Sequence, residues 1–127
     1  MVLVGIRDTD TPEDAAYICR KILNLRVFSG EEGKPWMKSV SDLNLEILLV
    51  SNFTLYGDCS KNKPDYRYAM KTEKALEAWN QFVALLRQSY KTELVQEGVF
   101  GAMMNCQLVN DGPVTLVVES KGKSSDD

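Results

Sequence analysis

The chain has 127 residues, of which 44% are apolar and 26% charged, and its net charge at neutral pH is -3. This composition is typical of one globular domain with a single core. The absence of histidine excludes Ser-His and Cys-His catalytic pairs and argues against a transition-metal site, and the negative charge argues against a broad phosphate-binding surface.

The first half of the chain predicts a strand, a helix and a turn. The opening MVLVGI is an apolar strand, and Thr11 and Pro12 are typical of a helix start. Three- and four-residue spacing of apolar positions predicts a helix over 11–25. Two glycines, a proline and mixed charge then predict an exposed turn or hairpin over 28–44.

The middle of the chain predicts a central strand, a long loop and a second helix. The apolar run 45–50 is typical of a strand covered on both faces. The polar segment 58–71 predicts a loop of a length usual for function or disorder. The next segment predicts a helix capped by Thr72, with one apolar stripe formed by Ala75, Leu76, Trp79, Phe82, Val83 and Leu86.

The last part of the chain predicts two strands, near 103–109 and over 113–120, followed by a polar, mobile tail at 121–127. The sequence thus predicts one domain over 1–120. Its fold class is α/β (α+β), with a mostly antiparallel, bent or barrel-like sheet packed against two main helices.

The cysteines and the absence of targeting signals predict a cytoplasmic protein. Cys19, Cys59 and Cys106 are odd in number and widely spaced, which argues against disulfides and a zinc site. No apolar run reaches the roughly 18 residues that span a membrane, and no secretory signal is recognisable. We therefore expect reduced thiols and no membrane association.

Three stretches taken together, SNFTLYG, VFGAMM and NDGPVTL, resemble the D-aminoacyl-tRNA deacylase family. That family is marked by Ser-Gln-x-Thr, Phe-Gly-Ala and Asn-x-Gly-Pro-Val-Thr stretches, and the resemblance extends from Val2 to Ser120. Two departures stand out. Asn52 occupies the position of the family's glutamine. Family members also begin with an additional strand or hairpin, and this chain starts at what resembles the strand after it.

The resemblance implies hydrolysis of the ester bond between a D-amino acid and the 3' end of a tRNA, which would make the chain an RNA-binding enzyme of chiral proofreading in translation. It also implies a homodimer with its active site at the subunit interface, and no metal or organic cofactor. Such a reaction suits a chain without histidine, because backbone N–H groups and a well-placed substrate hydroxyl supply much of the acceleration.

Candidate catalytic residues lie at the end of the central strand, at Ser51, Asn52, Phe53 and Thr54. Thr54 is interpreted either as a covalent nucleophile, or as a positioning residue acting through its hydroxyl or nearby backbone N–H groups, or as a threonine that merely favours a strand. Positioning is preferred, because no activating base is visible. Ser51 and Asn52 are expected to orient the loop or bind substrate.

Candidate substrate-binding residues follow the second helix. Phe100 and Met104, which flank Gly101 and Ala102, would wall a pocket for the terminal adenosine, or would only pack in the core. The aromatic residues of the long loop, Tyr66 and Tyr68, would stack on RNA bases or, as preferred, anchor the loop.

Gly112 and Pro113 interrupt the last two predicted strands, and in isolation such a pair predicts a turn. The resemblance implies instead a Gly-cis-Pro bond whose carbonyls enter the partner subunit's active site. There they would bind the ammonium group of a D-substrate and clash with an L side chain.

Two alternative functions remain open. The first is a non-catalytic homologue that binds a tRNA 3' end or another nucleic acid, and the second is a structural interaction module. The positive residues between Lys34 and Lys71 would form a local patch for RNA or a solvated loop face.

Overall fold

Helices separate the successive strands of the chain in the computed structural model, which describes residues 1–120. The elements are β1 (Val2–Val4), α1 (Pro12–Asn24), α2 (Val40–Leu43), β2 (Ile47–Ser51), α3 (Thr72–Ser89) and β3 (Val95–Glu97). Three 3₁₀ helices cover Glu31–Gly33, Phe53–Tyr56 and Thr92–Leu94. The predicted tail at 121–127 lies outside the described residues.

The three strands form a parallel sheet in the order β1-β2-β3. Val2 pairs with Leu49 and Ile47 with Val95. A helix lies between each pair of neighbouring strands in the sequence, and such a crossover brings the next strand back in the same direction. The prediction of a mostly antiparallel, barrel-like sheet is therefore wrong, while the central place of β2 is confirmed.

The two predicted final strands are wrong. Residues 102–119 form no strand. The third strand, β3, lies earlier in the chain, in the segment between the second helix and the first of these predicted strands. The valines and leucines of 108–119 fit a pleated surface, but a strand forms only where a partner offers its hydrogen bonds. Within residues 1–120 no strand of the sheet pairs with this segment.

Both main helices match the prediction, with small differences at their starts. α1 begins after Thr11, whose N–H donates to the Asp14 carboxylate at 2.8 Å. α3 is preceded by Lys71 rather than capped by Thr72, which is its first helical residue. The short α2 was missed, although Ser39 and Asp42 cap it reciprocally, with bonds of 2.9 and 3.1 Å.

The core lies between the sheet and the two main helices. Its largest fully buried side chains are Trp79, Leu49, Leu86 and Val95. α3 is also joined to β3 by polar contacts, because Glu97 accepts from the Trp79 indole at 3.2 Å and from Arg87 at 3.3 Å. Helix and strand are thus fixed to each other at the carboxyl end of β3.

One face of β2 is less covered than the sequence predicts. Leu49 is fully buried, whereas Leu48 on the opposite face is 40% exposed, so the prediction of a strand covered on both faces is wrong at this position. Within the described residues, no helix is long and apolar enough to cross a membrane.

Two leucines of α3 that differ in burial allow a direct test of this packing. Leu86 is fully buried and Leu76, on the same helix, is 43% exposed. We predict that Leu86→Ala lowers the free energy of unfolding by about 3 kcal/mol, because it removes buried apolar surface and leaves a cavity. Leu76→Ala should cost less than about 1 kcal/mol. Equal losses in urea unfolding would contradict this packing.

Candidate functional site at the carboxyl edge of the sheet

The three parallel strands all end at one edge of the sheet, where Gly5, Asn52 and Gly98 follow β1, β2 and β3 closely. The chain segments approach one another closely there. A Cβ added to Gly5 would lie 3.0 Å from the Leu55 Cβ, and one added to Gly98 would lie 2.8 Å from the Met104 sulfur. Ligands of parallel α/β sheets bind outside this edge, so these segments form the candidate site.

Asn52 forms the turn at the centre of this edge. Its N–H donates to Val4 O at 2.8 Å, which extends the pairing of β2 with β1. Its side-chain oxygen accepts hydrogen bonds from the N–H of Thr54 at 3.3 Å and from the Thr54 hydroxyl. Asn52 thereby caps the 3₁₀ helix Phe53–Tyr56, as asparagine commonly does through its own side chain.

This turn determines the hydrogen-bonding state of Thr54. Its hydroxyl proton is directed to an amide carbonyl, which does not act as a base. The lone pairs of Thr54 Oγ1 remain available to accept a hydrogen bond from a ligand. A nucleophilic hydroxyl needs a neighbouring general base, and the contact with Asn52 supplies none.

The backbone N–H of Phe53 is a second polar group of the turn. Phe53 is the first residue of the 3₁₀ helix, where N–H groups have no acceptor inside the helix. Among residues 1–120 no acceptor binds it. The turn therefore offers one unpaired donor beside one hydroxyl acceptor. Ser51 pairs with Val4 in the strand register and fixes where the turn begins.

The Phe-Gly-Ala stretch lies at the end of β3 on the same edge. Phe100 is half-buried and packs against the core, and Met104 lies against Gly98. Gly101 adopts a φ of 74°, and the N–H of Ala102 donates to Val99 O at 3.2 Å. Core packing of Phe100 is thus established, and the exposed turn behind it borders the edge that carries Thr54.

The Gly112–Pro113 peptide bond is cis, as predicted. Gly112 has a φ of 129°, and a Cβ there would lie 2.9 Å from the Val114 nitrogen, so the position requires glycine. In the described part of the chain no hydrogen bond joins 110–113 to the turn around Thr54. The structure therefore brings the first two motifs to one edge and leaves the third unlinked.

The long loop is ordered by its aromatic residues. Tyr66 contacts the Phe53 ring edge-on, with ring centroids 5.0 Å apart. Arg7 and Arg67 both stack on Tyr68, at 5.3 and 4.8 Å from the ring centroid. These contacts favour the role of both tyrosines in anchoring the loop. No local sequence signal indicates the Phe53–Tyr66 contact, because it joins residues of separate segments.

Thiols and metal ligands are not gathered at this site. All three cysteines are free, and Cys19 is buried, which raises the pKa of its thiol to about 11. Cys59 and Cys106 are exposed. Across residues 1–120, no three His, Cys, Asp or Glu side chains are grouped so that they could hold a metal ion.

Comparisons with known proteins agree with the resemblance. The family model described as D-Tyr-tRNA(Tyr) deacylase matches residues 1–119. A D-aminoacyl-tRNA deacylase of Drosophila melanogaster is 53% identical over 126 residues, which are 99% of this chain and 79% of that relative. D-aminoacyl-tRNA deacylase 1 of Homo sapiens is 50% identical over 119 residues, covering 94% of this chain and 57% of the relative.

A solved structure is also similar. It is that of a protein named "c-Myc DNA Unwinding Element Binding Protein", and it superimposes with a TM-score of 0.86 at 50% sequence identity. The alignment covers 90% of this chain and 76% of that one. This chain is therefore similar to that protein in both fold and sequence.

Proposed function

The chain belongs to the D-Tyr-tRNA(Tyr) deacylase family, and we propose that it hydrolyses the ester bond of D-aminoacyl-tRNA, releasing the free D-amino acid and the tRNA. The family match over residues 1–119 carries this proposal. The activity is that of a hydrolase in translation quality control, and we expect it in the cytoplasm, where tRNAs are charged.

The Phe53 N–H is our candidate for stabilising the oxyanion. It is the unpaired donor of the turn, at the edge where a ligand is expected. Attack on the ester places negative charge on the carbonyl oxygen, and a fixed backbone donor stabilises this charge without reorganisation. One such donor lowers the barrier by about 3 kcal/mol.

Thr54 acts in this proposal as a positioning residue. Because its proton is directed to Asn52 Oδ1, its oxygen is free to accept a hydrogen bond from the attacking water or from the neighbouring ribose hydroxyl. The substrate itself then supplies the base, and correct placement of the reacting groups provides much of the acceleration. Asn52 fixes the orientation of this hydroxyl, and Ser51 fixes the start of the turn.

Substrate selection is assigned to the two other motifs. By the family resemblance, the carbonyls of Gly112 and Pro113 bind the ammonium group of the D-amino acid and reject an L side chain. Phe100, Gly101, Ala102 and Met104 border the same edge as Thr54, and we assign them to the terminal adenosine. Rejection by backbone groups suits an enzyme whose substrates share chirality but differ in their side chains.

A homodimer would complete this site. Residues 103–117 expose apolar side chains widely, with Met103 101%, Val109 95% and Val117 85% exposed. Several apolar side chains exposed close together indicate an interaction surface, and the strand-forming residues of the segment suit pairing with a second copy. Gly112 and Pro113 lie on this segment, so dimerisation would place them beside the turn that carries Thr54 in the partner subunit.

Nucleic-acid binding without hydrolysis is the second candidate function. It is favoured by the name of the similar solved protein, which describes binding to a DNA unwinding element. Release of the amino acid distinguishes the two candidates, because a protein that only binds would leave the ester intact.

We predict that the protein hydrolyses D-aminoacyl-tRNA and leaves the matching L-aminoacyl-tRNA intact. Release of labelled amino acid measures both rates, and uncharged tRNA in a gel-shift assay measures binding alone. Binding of tRNA without release of the D-amino acid would contradict the proposed enzyme and support the second candidate.

For Thr54 the expected loss is modest. Thr54→Ala should lower kcat within about a hundredfold, since positioning rather than bond formation is removed, whereas loss of a nucleophile costs on the order of 10⁴ or more. Thr54→Ser keeps the hydroxyl and serves as the matched control. An acyl-enzyme trapped on Thr54 and detected by mass spectrometry would overturn the positioning role.

The assembly is tested by light scattering after size exclusion. We predict a dimer at micromolar concentration. Val109→Asp should shift it to monomer, because the interface would bury an unpaired carboxylate. Leu76→Asp, on the exposed side of α3, should leave the dimer intact. A monodisperse wild-type monomer would refute the proposed shared site.

A further inference from the structure

A polar cavity of about 300 Å³ lies in the long loop, outside the site described above. It is lined by Asp58, Ser60, Lys61, Lys63, Pro64, Asp65 and Arg67. The loop begins directly after the 3₁₀ helix Phe53–Tyr56, so the cavity lies close in sequence to the turn that carries Thr54.

The two carboxylates of the cavity are already occupied. Arg67 pairs with Asp58 at 2.9 Å and with Asp65 at 3.4 Å. The remaining carboxylate oxygens accept backbone N–H groups, from Ser60 at 3.0 Å and from Arg67 at 2.8 Å. The bonds from Ser60, together with nearby Arg67, lower the pKa of Asp58, so this arrangement stays ionised at neutral pH.

Two lysines of the cavity are not neutralised by a carboxylate in the described part of the chain. Neither Lys61 nor Lys63 forms an ion pair within residues 1–120. Three positive and two negative side chains line the cavity, which leaves one net positive charge in a chain whose total is -3. The cavity therefore attracts an anion locally, although the chain as a whole carries a net negative charge.

The frame that holds these lysines is fixed relative to the turn. Asp58 and Asp65 exchange backbone hydrogen bonds of 2.7 and 3.0 Å, which closes the loop between them. Tyr66 then contacts the Phe53 ring and lies against Gly57. A ligand held by the lysines would thus be held at a defined distance from the unpaired Phe53 N–H.

Resting on the proposed function, we propose that Lys61 and Lys63 bind backbone phosphates of the tRNA acceptor end, upstream of the terminal adenosine. A single-stranded RNA end presents one phosphate per nucleotide, and ammonium groups bind such phosphates as point charges. A phosphate bound here would place the 3' ester at the turn while leaving the reacting atoms to Phe53 and Thr54.

The test compares two substrates on the full chain. One is D-aminoacyl-tRNA, and the other is the same D-amino acid esterified to adenosine, which has no upstream phosphate. Lys61→Gln with Lys63→Gln should lower kcat/KM on the tRNA about tenfold, through KM, as expected for loss of two solvent-exposed charge contacts. The rate on the adenosine ester should stay that of the wild type.

The matched control removes two positive charges elsewhere, by Lys21→Gln with Lys91→Gln. Lys91 donates to Asn44 at 2.8 Å, beside the amino ends of β2 and β3 and therefore at the opposite edge of the sheet. This variant should hydrolyse both substrates like the wild type. The salt dependence of KM on tRNA should also become shallower by about 1.4 in a log-log plot for the loop variant only.

Other outcomes would overturn the phosphate site. Unchanged KM on tRNA would remove the proposed contacts, and equal losses on both substrates would show that the lysines only maintain the loop. If the wild type hydrolyses neither substrate, the proposed function is contradicted, and the phosphate site is then tested by RNA binding. Weaker, less salt-dependent binding of a single-stranded RNA by the loop variant would then support the site, and equal binding would refute it.

Discussion

The hydrogen bonds of Asn52 shape the candidate site more than any other interaction. The backbone of Asn52 continues the pairing of β2 with β1, and its side chain holds the N–H and hydroxyl of Thr54. One residue therefore ends a strand, starts a 3₁₀ helix and orients a hydroxyl. The family's glutamine is one methylene longer at this position. The shorter side chain of asparagine binds Thr54, two residues further along the chain. The departure from the family motif thus has a defined local role in this chain.

The parallel sheet explains why this turn is accessible to a ligand. All three strands point their carboxyl ends at the same edge, and α3 is fixed to that end through the contacts of Trp79 and Arg87 with Glu97. Glycines at positions 5 and 98 allow the neighbouring segments to approach closely. The edge is therefore a rigid base with an exposed turn, which suits catalysis by positioned backbone groups.

Elements with strong local signals could be predicted from the sequence, and elements that depend on partners could not. α1 and α3 have clear apolar stripes, and β2 has a continuous apolar run, so their predicted places are correct. The segment 102–119 is also rich in strand-forming residues, yet it pairs with no strand of the described chain. β3 is only three residues long and has no clear pattern of its own. Its strand character comes from pairing with β2.

The site shows the same division. Motif positions and the cis bond at Pro113 could be predicted from the resemblance. The contact of Tyr66 with Phe53 and the pairing of Arg67 with two aspartates join residues whose proximity depends on the folded loop. Charge spacing alone could indicate a basic loop, but it could not show which cations remain unpaired.

Backbone amide NMR tests most directly whether the substrate's carbonyl group binds at the Phe53 N–H, as we propose. A non-hydrolysable analogue, with an amide linking a D-amino acid to 3'-amino-adenosine, would be titrated into isotopically labelled protein. We predict the largest amide shift changes at Phe53 and Thr54, with none at Asn44 or Lys91 on the opposite edge. Saturable binding that leaves the Phe53 amide unchanged would contradict this claim.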